Sequence, residues 1–265
     1  MIQRRISMSD HLKTTRFKLT GAGLRAWGMI FLVLGMLGRS VLQNVFLGMG
    51  NVSSAELLEA MNGSDAVVYY ATVAIVLQIL EACAAPIFAF LLVEGFIHTH
   101  DRKAYALRIT GVALLSEIPY NLVCSGKLFG MEQQNPVFAL VICFVALYLF
   151  SQNQEKSLKC IAIKVVVIAA AALWMKMLRI QDGLQLLLLT GVIWAFRNKS
   201  MLRTLFGCVA ACVCTIFSMY YMLAPLTFLA IHLYHGEQGP QNKYVNYLSY
   251  PVLLLICGLA GYFLK

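Results

Sequence analysis

Charge is what this chain has least of. Only 12% of its 265 residues are Asp, Glu, Lys or Arg, about half the share that keeps a soluble globular domain in water. Acids are the scarcer kind, 12 against 21 basic residues, for a net charge of +9. There is no CxxC pair among the eight cysteines, which lie almost all inside apolar runs. They read as small buried hydrophobes rather than as metal ligands or disulfide partners. No small-residue cleavage site follows the first apolar run, so no cleavable signal peptide is expected. No internal repeat or low-complexity tract is visible, which leaves an inverted-repeat transporter without support from symmetry.

What remains is 60% hydrophobic, with a mean hydropathy of +0.75. Long apolar runs recur from Leu24 to the C-terminus and leave no room for a separate soluble domain. A membrane-spanning helix needs about 20 such residues. The expected architecture is therefore all-α: one polytopic transmembrane helical bundle over 1–265, with 1–20 as a basic tail. About nine spans (eight to ten) are expected, near 24–47, 72–97, 104–124, 136–150, 158–176, 183–197, 203–221, 222–235 and 246–264. Residues 66–80 read as an interfacial or half-inserted helix ahead of the second span. The stretch 203–235 reads as a tight hairpin at Pro225 or one broken element. The spans 136–150 and 183–197 are short.

The basic residues set the orientation. Arg4, Arg5, Lys13, Arg16 and Lys18 crowd the tail, and Arg102, Lys103, Lys156, Lys159, Arg197, Lys199, Arg203 and Lys243 join them on one side, thirteen in all. Lys127, Lys176, Arg179 and Lys265 make four on the other. The richer side faces the cytoplasm, and the same cations account for the net charge through anionic lipid headgroups, without nucleic acid. The chain is expected to cross the membrane several times, with the N-terminus cytoplasmic.

Ionisable side chains within apolar spans cost several kcal/mol, from about 2.5 upward, and need a partner or a role. Arg25 and Lys164 lie near a cytoplasmic end, where snorkelling explains them. Arg39 lies roughly 21 Å further along the first helix, near the outer side, where Glu81 is in reach as a partner. Glu94, His98, Arg108 and Glu117 are denser. A short turn, HTHDRK, makes their two helices antiparallel neighbours, with Glu94 and His98 one turn apart on one face. One reading is an ion-pair network between helices. The other is a polar pocket open to the cytoplasm, with His98 as general base oriented by Glu94 and with Glu117 deeper in the site. Arg102, Lys103 and Arg108 then suit the phosphates of a nucleotide-like donor such as coenzyme A. His100 and Asp101 read as solvated turn residues and Asp182 as an N-cap. His232 and His235 flank a span end, and no third ligand accompanies them for a metal site.

The wording of this region is specific. Pro86–Asn121, PIFAFLLVEGFIHTHDRKAYALRITGVALLSEIPYN, resembles the core signature of the TraX family, and Gln181-Asp182-Gly183, His235-Gly236-Glu237-Gln238-Gly239 and Lys243-Tyr244…Tyr250-Pro251 continue the resemblance in order. The resemblance implies an integral N-acetyltransferase of a bacterial inner membrane that uses acetyl-CoA on a pilin-like or other membrane peptide, in the setting of conjugation. Two places depart from it. Where the family's first span carries Asp-His-Ile-Gly, this chain has Gly35-Met36-Leu37-Gly38, and where a histidine follows the Tyr-Pro pair, it has Leu253. Methionine cannot take a proton. Either His98 or another group substitutes, or the chain is a noncatalytic scaffold that has kept the bundle. A small-molecule transporter is the third reading.

Overall fold

Backbone amides and carbonyls in hydrocarbon find no water, so a chain this apolar must satisfy them internally, and helices do so within one segment. The computed structural model describes residues 19–48, 54–60, 62–130, 132–155, 157–239 and 243–264. The cations of the basic tail, Lys156 and Lys265 lie outside them. The described residues contain eleven α-helices and no β-strand, only two isolated bridges. The helices are α1 (Gly21–Leu37), α2 (Ser54–Ala60), α3 (Asp65–Ala82), α4 (Ala84–His98), α5 (Arg102–Ser125), α6 (Val137–Gln152), α7 (Leu158–Met177), α8 (Gly183–Ala195), α9 (Ser200–Phe217), α10 (Thr227–His232) and α11 (Lys243–Phe263). α1 runs on as a π-helical segment, Gly38–Phe46, and a 3-10 segment, Met219–Leu226, leads into α10.

Among the described residues, five stretches are long and apolar enough to cross a membrane: Gly21–Phe46, Asp65–His98, Leu158–Met177, Ser200–Phe217 and Val245–Phe263. Val137–Gln152, Gly183–Ala195 and Met219–His232 are shorter, and α5 has Arg102, Lys103, Arg108 and Glu117 in its 24 residues. A multi-pass membrane protein follows. The nine segments read from sequence all fall on helical stretches, and length and apolarity together carry five crossings among the described residues.

Three boundaries change. Residues 66–80 are not separate from the next span: they belong to α3, which packs along α1 with Ala71, Ala74 and Gln78 buried, and continues into α4 after a single non-helical residue, Cys83. The 203–235 stretch breaks at Ser218, whose backbone is extended, and Pro225 sits inside the 3-10 segment. Arg203 is no loop residue. It is 8% exposed in the first turn of α9, with its guanidinium 4.8 Å from the Phe90 ring centre.

Local chemistry fixes the ends. Thr20 caps α1 by accepting from the Gly23 N–H at 3.2 Å, and the Glu237 and Gln238 carbonyls accept from Gly21 and Ala22 at 2.9 and 3.0 Å. Asp101 caps α5 by accepting from the Ala104 N–H at 3.0 Å. α5 ends at Gly126, whose φ of 65° suits the residue without a Cβ.

Asn135, Ile180 and Gln181, late in the loops before α6 and α8, are buried inside the bundle. Gln134 donates to the Arg179 carbonyl and Gln181 donates to that of Gln134, both at 3.0 Å, so the two loops pair like parallel strands. Asn135 is fully buried and Gln181 nearly so. Irregular backbone survives at such depth only where protein encloses it or a cavity adjoins it.

The main core gathers Phe90, Phe96, Phe144, Leu189, Ile193 and Phe228 from α4, α6, α8 and α10. A smaller cluster of Met36, Tyr120, Cys124, Tyr250, Leu254 and Cys257 joins α1, α5 and α11. Five of the eight cysteines are buried, and Cys212 is exposed on α9. α7 buries only Ala171 and Met175 and otherwise presents apolar side chains outward, as a lipid-facing helix does.

Candidate functional site

A cavity of about 330 Å³ lies between α1, α3, α4, α5, α6, α8 and α11. Its exposed lining residues, Arg108 and Gln238, lie at the end of the bundle formed by the α4–α5 turn. Arg25, Glu94, Thr99, Tyr234, Asn246 and Tyr247 complete this rim. The middle is apolar, walled by Met29, Leu32, Phe88, Leu91, Val112 and Leu140. The floor turns polar again, with Glu81, Gln181, Asp182 and Tyr250. Roughly 20 Å of helix separates Glu94 at the rim from Glu81 at the floor.

The rim is cationic with donors to spare. Arg25 Nη1 donates to Asn246 Oδ1 at 2.7 Å. Arg108 Nε donates to the Ala104 carbonyl at 3.0 Å, and its guanidinium lies 5.7 Å from the Tyr247 ring centre. A guanidinium has five N–H donors, so each keeps several for an anion. Tyr105, also on the wall, can come close because Gly95 has no side chain: a Cβ there would meet the Tyr105 hydroxyl at 2.5 Å.

Beside the rim, His98 Nδ1 is 2.9 Å from the Glu94 carbonyl and 3.2 Å from its Oε2. Both partners only accept, so Nδ1 carries the proton and Nε2 is the atom left to take another. Glu94 lines the cavity; His98 is half exposed just outside the lining.

The other sequence candidates lie elsewhere. Arg102 donates to Ser151 Oγ at 3.3 Å and sits 4.5 Å from the Phe96 ring centre, facing the end of α6. Lys103 is exposed on the turn. Glu117 Oε2 accepts from the Asn135 N–H at 3.3 Å and braces the buried loop before α6. His232 pairs with Thr204 Oγ1 at 3.0 Å and His235 with the Leu233 carbonyl at 2.6 Å, and neither lines the cavity, although Tyr234 between them does.

At the floor, Arg39 meets Glu81 in a two-pronged ion pair, Nη1–Oε1 and Nη2–Oε2 both at 3.0 Å, with the side chains 11% and 12% exposed. Arg39 also donates to Gln181 Oε1 at 3.3 Å, an atom that accepts from the Tyr120 hydroxyl as well. Tyr250 donates to Asn135 Oδ1 at 3.0 Å. Gly35 makes room for this: a Cβ there would collide with the Glu81 carboxylate. Asp182 precedes α8 but makes no side-chain cap bond, and its backbone is left-handed, φ 53°. It lines the cavity floor instead. Sequence reasoning missed Arg25, Asn246, Tyr105 and Asp182 as lining residues. Only the charge of Arg25 and Asp182 was a signal, and each had a sufficient local explanation.

A family model described as TraX protein matches residues 58–260, most of the chain. The chain belongs to the TraX family. Among curated proteins it resembles the probable fimbrial assembly protein FimC, serogroup H1, of Dichelobacter nodosus, with 23% identity over 212 residues, 71% of this chain and 84% of that protein. No solved structure matches. The TraX match takes in the cavity walls from α3 to α11. It leaves out α1 and the π-helical segment, and with them Arg25, Gly35 and Arg39.

Proposed function

We propose that this TraX family protein is a membrane N-acetyltransferase that takes acetyl-CoA from the cytoplasm at the α4–α5 end and acetylates the amine of a membrane peptide. A pilin-like peptide is the acceptor that the likeness to a fimbrial assembly protein suggests. The N-terminus then faces the cytoplasm of a bacterial inner membrane, as the basic residues favour. The observation that carries the reading is one cavity with a two-arginine rim, apolar walls and a rim carboxylate that holds a histidine.

The residues present fit the cofactor. Arg25 and Arg108 have N–H groups for its phosphates, and Met29, Leu32 and Leu91 offer an apolar wall to its uncharged arm. When bound, acetyl-CoA supplies an acetyl group activated as a thioester. His98 takes at Nε2 the proton the acceptor amine must lose, and Glu94 holds the ring and stabilises the imidazolium. Arg102 and Lys103 add positive charge to the approach from outside the cavity.

One observation favours a second reading, a noncatalytic scaffold. Met36 stands where the family resemblance leads one to expect a histidine, and it is buried in apolar contacts at 2% exposure. Binding of acetyl-CoA to the purified protein in detergent decides between the two. Saturable binding, weakened roughly tenfold or more by Arg25→Ala or Arg108→Ala through loss of charged hydrogen bonds, supports the enzyme. His98→Ala should keep binding and lose transfer. A folded protein that does not bind at millimolar cofactor is the scaffold.

A further inference from the structure

A second cavity, of about 200 Å³, lies near the C-terminal ends of α5, α11 and the π-helical segment, away from the acetyl-CoA rim. Ser40, Asn44, Ser125, Lys127, Glu132 and Tyr262 supply its polar lining. Ser40 is 1% exposed, yet its Oγ has no hydrogen-bond partner. A buried hydroxyl without a partner is uncommon in folded proteins and marks a place where a ligand atom belongs.

The lining sorts into two chemistries. Asn44 spends its Nδ2 on the Val123 carbonyl at 2.7 Å, which leaves Oδ1 to accept. Ser125 donates to the Asn121 carbonyl at 2.9 Å, which leaves its oxygen lone pairs. With the Glu132 carboxylate these make three acceptors, and the surrounding helix C-termini add partial negative charge. Three acceptors match the three N–H donors of a primary ammonium. The Lys127 ammonium and the Ser40 hydroxyl are donors and suit a phosphate. Lys127 and Glu132 are exposed at the rim, and neither forms an ion pair among the described residues. Next in sequence to the lining residues are exposed apolar side chains, Leu128, Phe129 at 80% and Phe263 at 79%, with Leu264 after them. A bound phosphate and ammonium therefore come with room for hydrocarbon tails.

We infer that this cavity is a headgroup site for a phospholipid bearing a primary ammonium, of the phosphatidylethanolamine type. A quaternary ammonium has no N–H to offer the three acceptors. A headgroup without the ammonium leaves Glu132 unpaired.

The full-length protein in phosphatidylglycerol nanodiscs, titrated with phosphatidylethanolamine or phosphatidylcholine and read by native mass spectrometry, tests this. One phosphatidylethanolamine retained with at least about fivefold preference over phosphatidylcholine supports the site, since the two headgroups carry the same charge and differ in their N–H donors, and losing one charge-assisted hydrogen bond costs about that much or more. Glu132→Ala, which removes one of the three acceptors, should cut the preference to about half or less, and Lys127→Ala should weaken retention of both lipids about fivefold. Both residues are exposed, so the variants fold, and an unchanged melting curve checks it. Equal retention of the two lipids overturns the inference, as does a preference left unchanged by Glu132→Ala. Glycerophosphoethanolamine separates a lipid from a soluble ligand: binding at least about tenfold weaker than the lipid supports the assignment, and equal binding overturns it. None of these readouts depends on acetyl-CoA.

Discussion

Replacing Arg39 alone should damage this protein more than replacing Arg39 and Glu81 together. The pair sits at the cavity floor with both side chains almost out of solvent, so each ion is compensated chiefly by the other. In Arg39→Leu the Glu81 carboxylate keeps its desolvation cost and loses both 3.0 Å contacts. Breaking a buried pair in this way costs about 3–5 kcal/mol, whereas replacing both ions by apolar groups of similar volume is often neutral or better. Arg39→Leu/Glu81→Leu therefore should recover most of the loss. What remains is the neutral-acceptor bond from Arg39 to Gln181 at 3.3 Å, about 1 kcal/mol. Tyr120 still donates to that oxygen, so no orphaned acceptor adds to it. The assay is thermal unfolding in detergent, followed by tryptophan fluorescence. Arg39→Leu should melt at least about 6 °C below the parent on the scale of soluble domains, and the double variant should return to within a few degrees. If the single variant is as stable as the parent, or the double variant is worse than either single one, the floor is not organised by this pair.

Two further outcomes follow from close contacts and backbone geometry. Gly207→Ala should cost about 1–3 kcal/mol by overpacking, because a Cβ there collides with the Phe228 ring, and adding Phe228→Leu should restore part of it in the same melting assay. At position 182, where φ is 53°, Asp182→Gly should be more stable than Asp182→Ala by about 1 kcal/mol or more, since only glycine enters that region without penalty; equal melting of the two variants would refute the strain.

The helices were legible because apolar runs, a charged turn and capping residues act over a few residues at a time. The α4–α5 hairpin, the Glu94–His98 contact and the Arg39–Glu81 pair all follow from helical spacing plus one antiparallel turn. The cavity was not legible, because its partners are far apart in the chain. Arg25 looks like a snorkelling cation until Asn246 of the last helix comes beside it. Asp182 has the sequence context of a helix cap, and only its left-handed backbone turns the carboxylate away from that task. Arg203 was counted with the loop cations because three basic residues cluster there, but α9 starts early enough to carry it inward over Phe90. Glu117 reads as an interior acid with a chemical role, and its carboxylate instead holds a loop that hydropathy alone would place outside.

The first helix is finished by residues from near the other end of the chain. Its leading amides are satisfied by the Glu237 and Gln238 carbonyls, and Arg25 waits for Asn246, 221 residues further on. At about 5–20 residues per second of synthesis, α1 enters the bilayer roughly 10–40 s before either exists. During that interval its N-terminal turn has only Thr20 as a side-chain cap, and the arginine has only water and headgroups. Chain truncations that end before residue 237 should therefore leave α1 inserted but unlatched, open to quality-control proteases, with α3 and α4 in place beside it and α11 missing. Maturation of this bundle is thus a closing of first to last, timed by the ribosome rather than by the order of hydrophobicity.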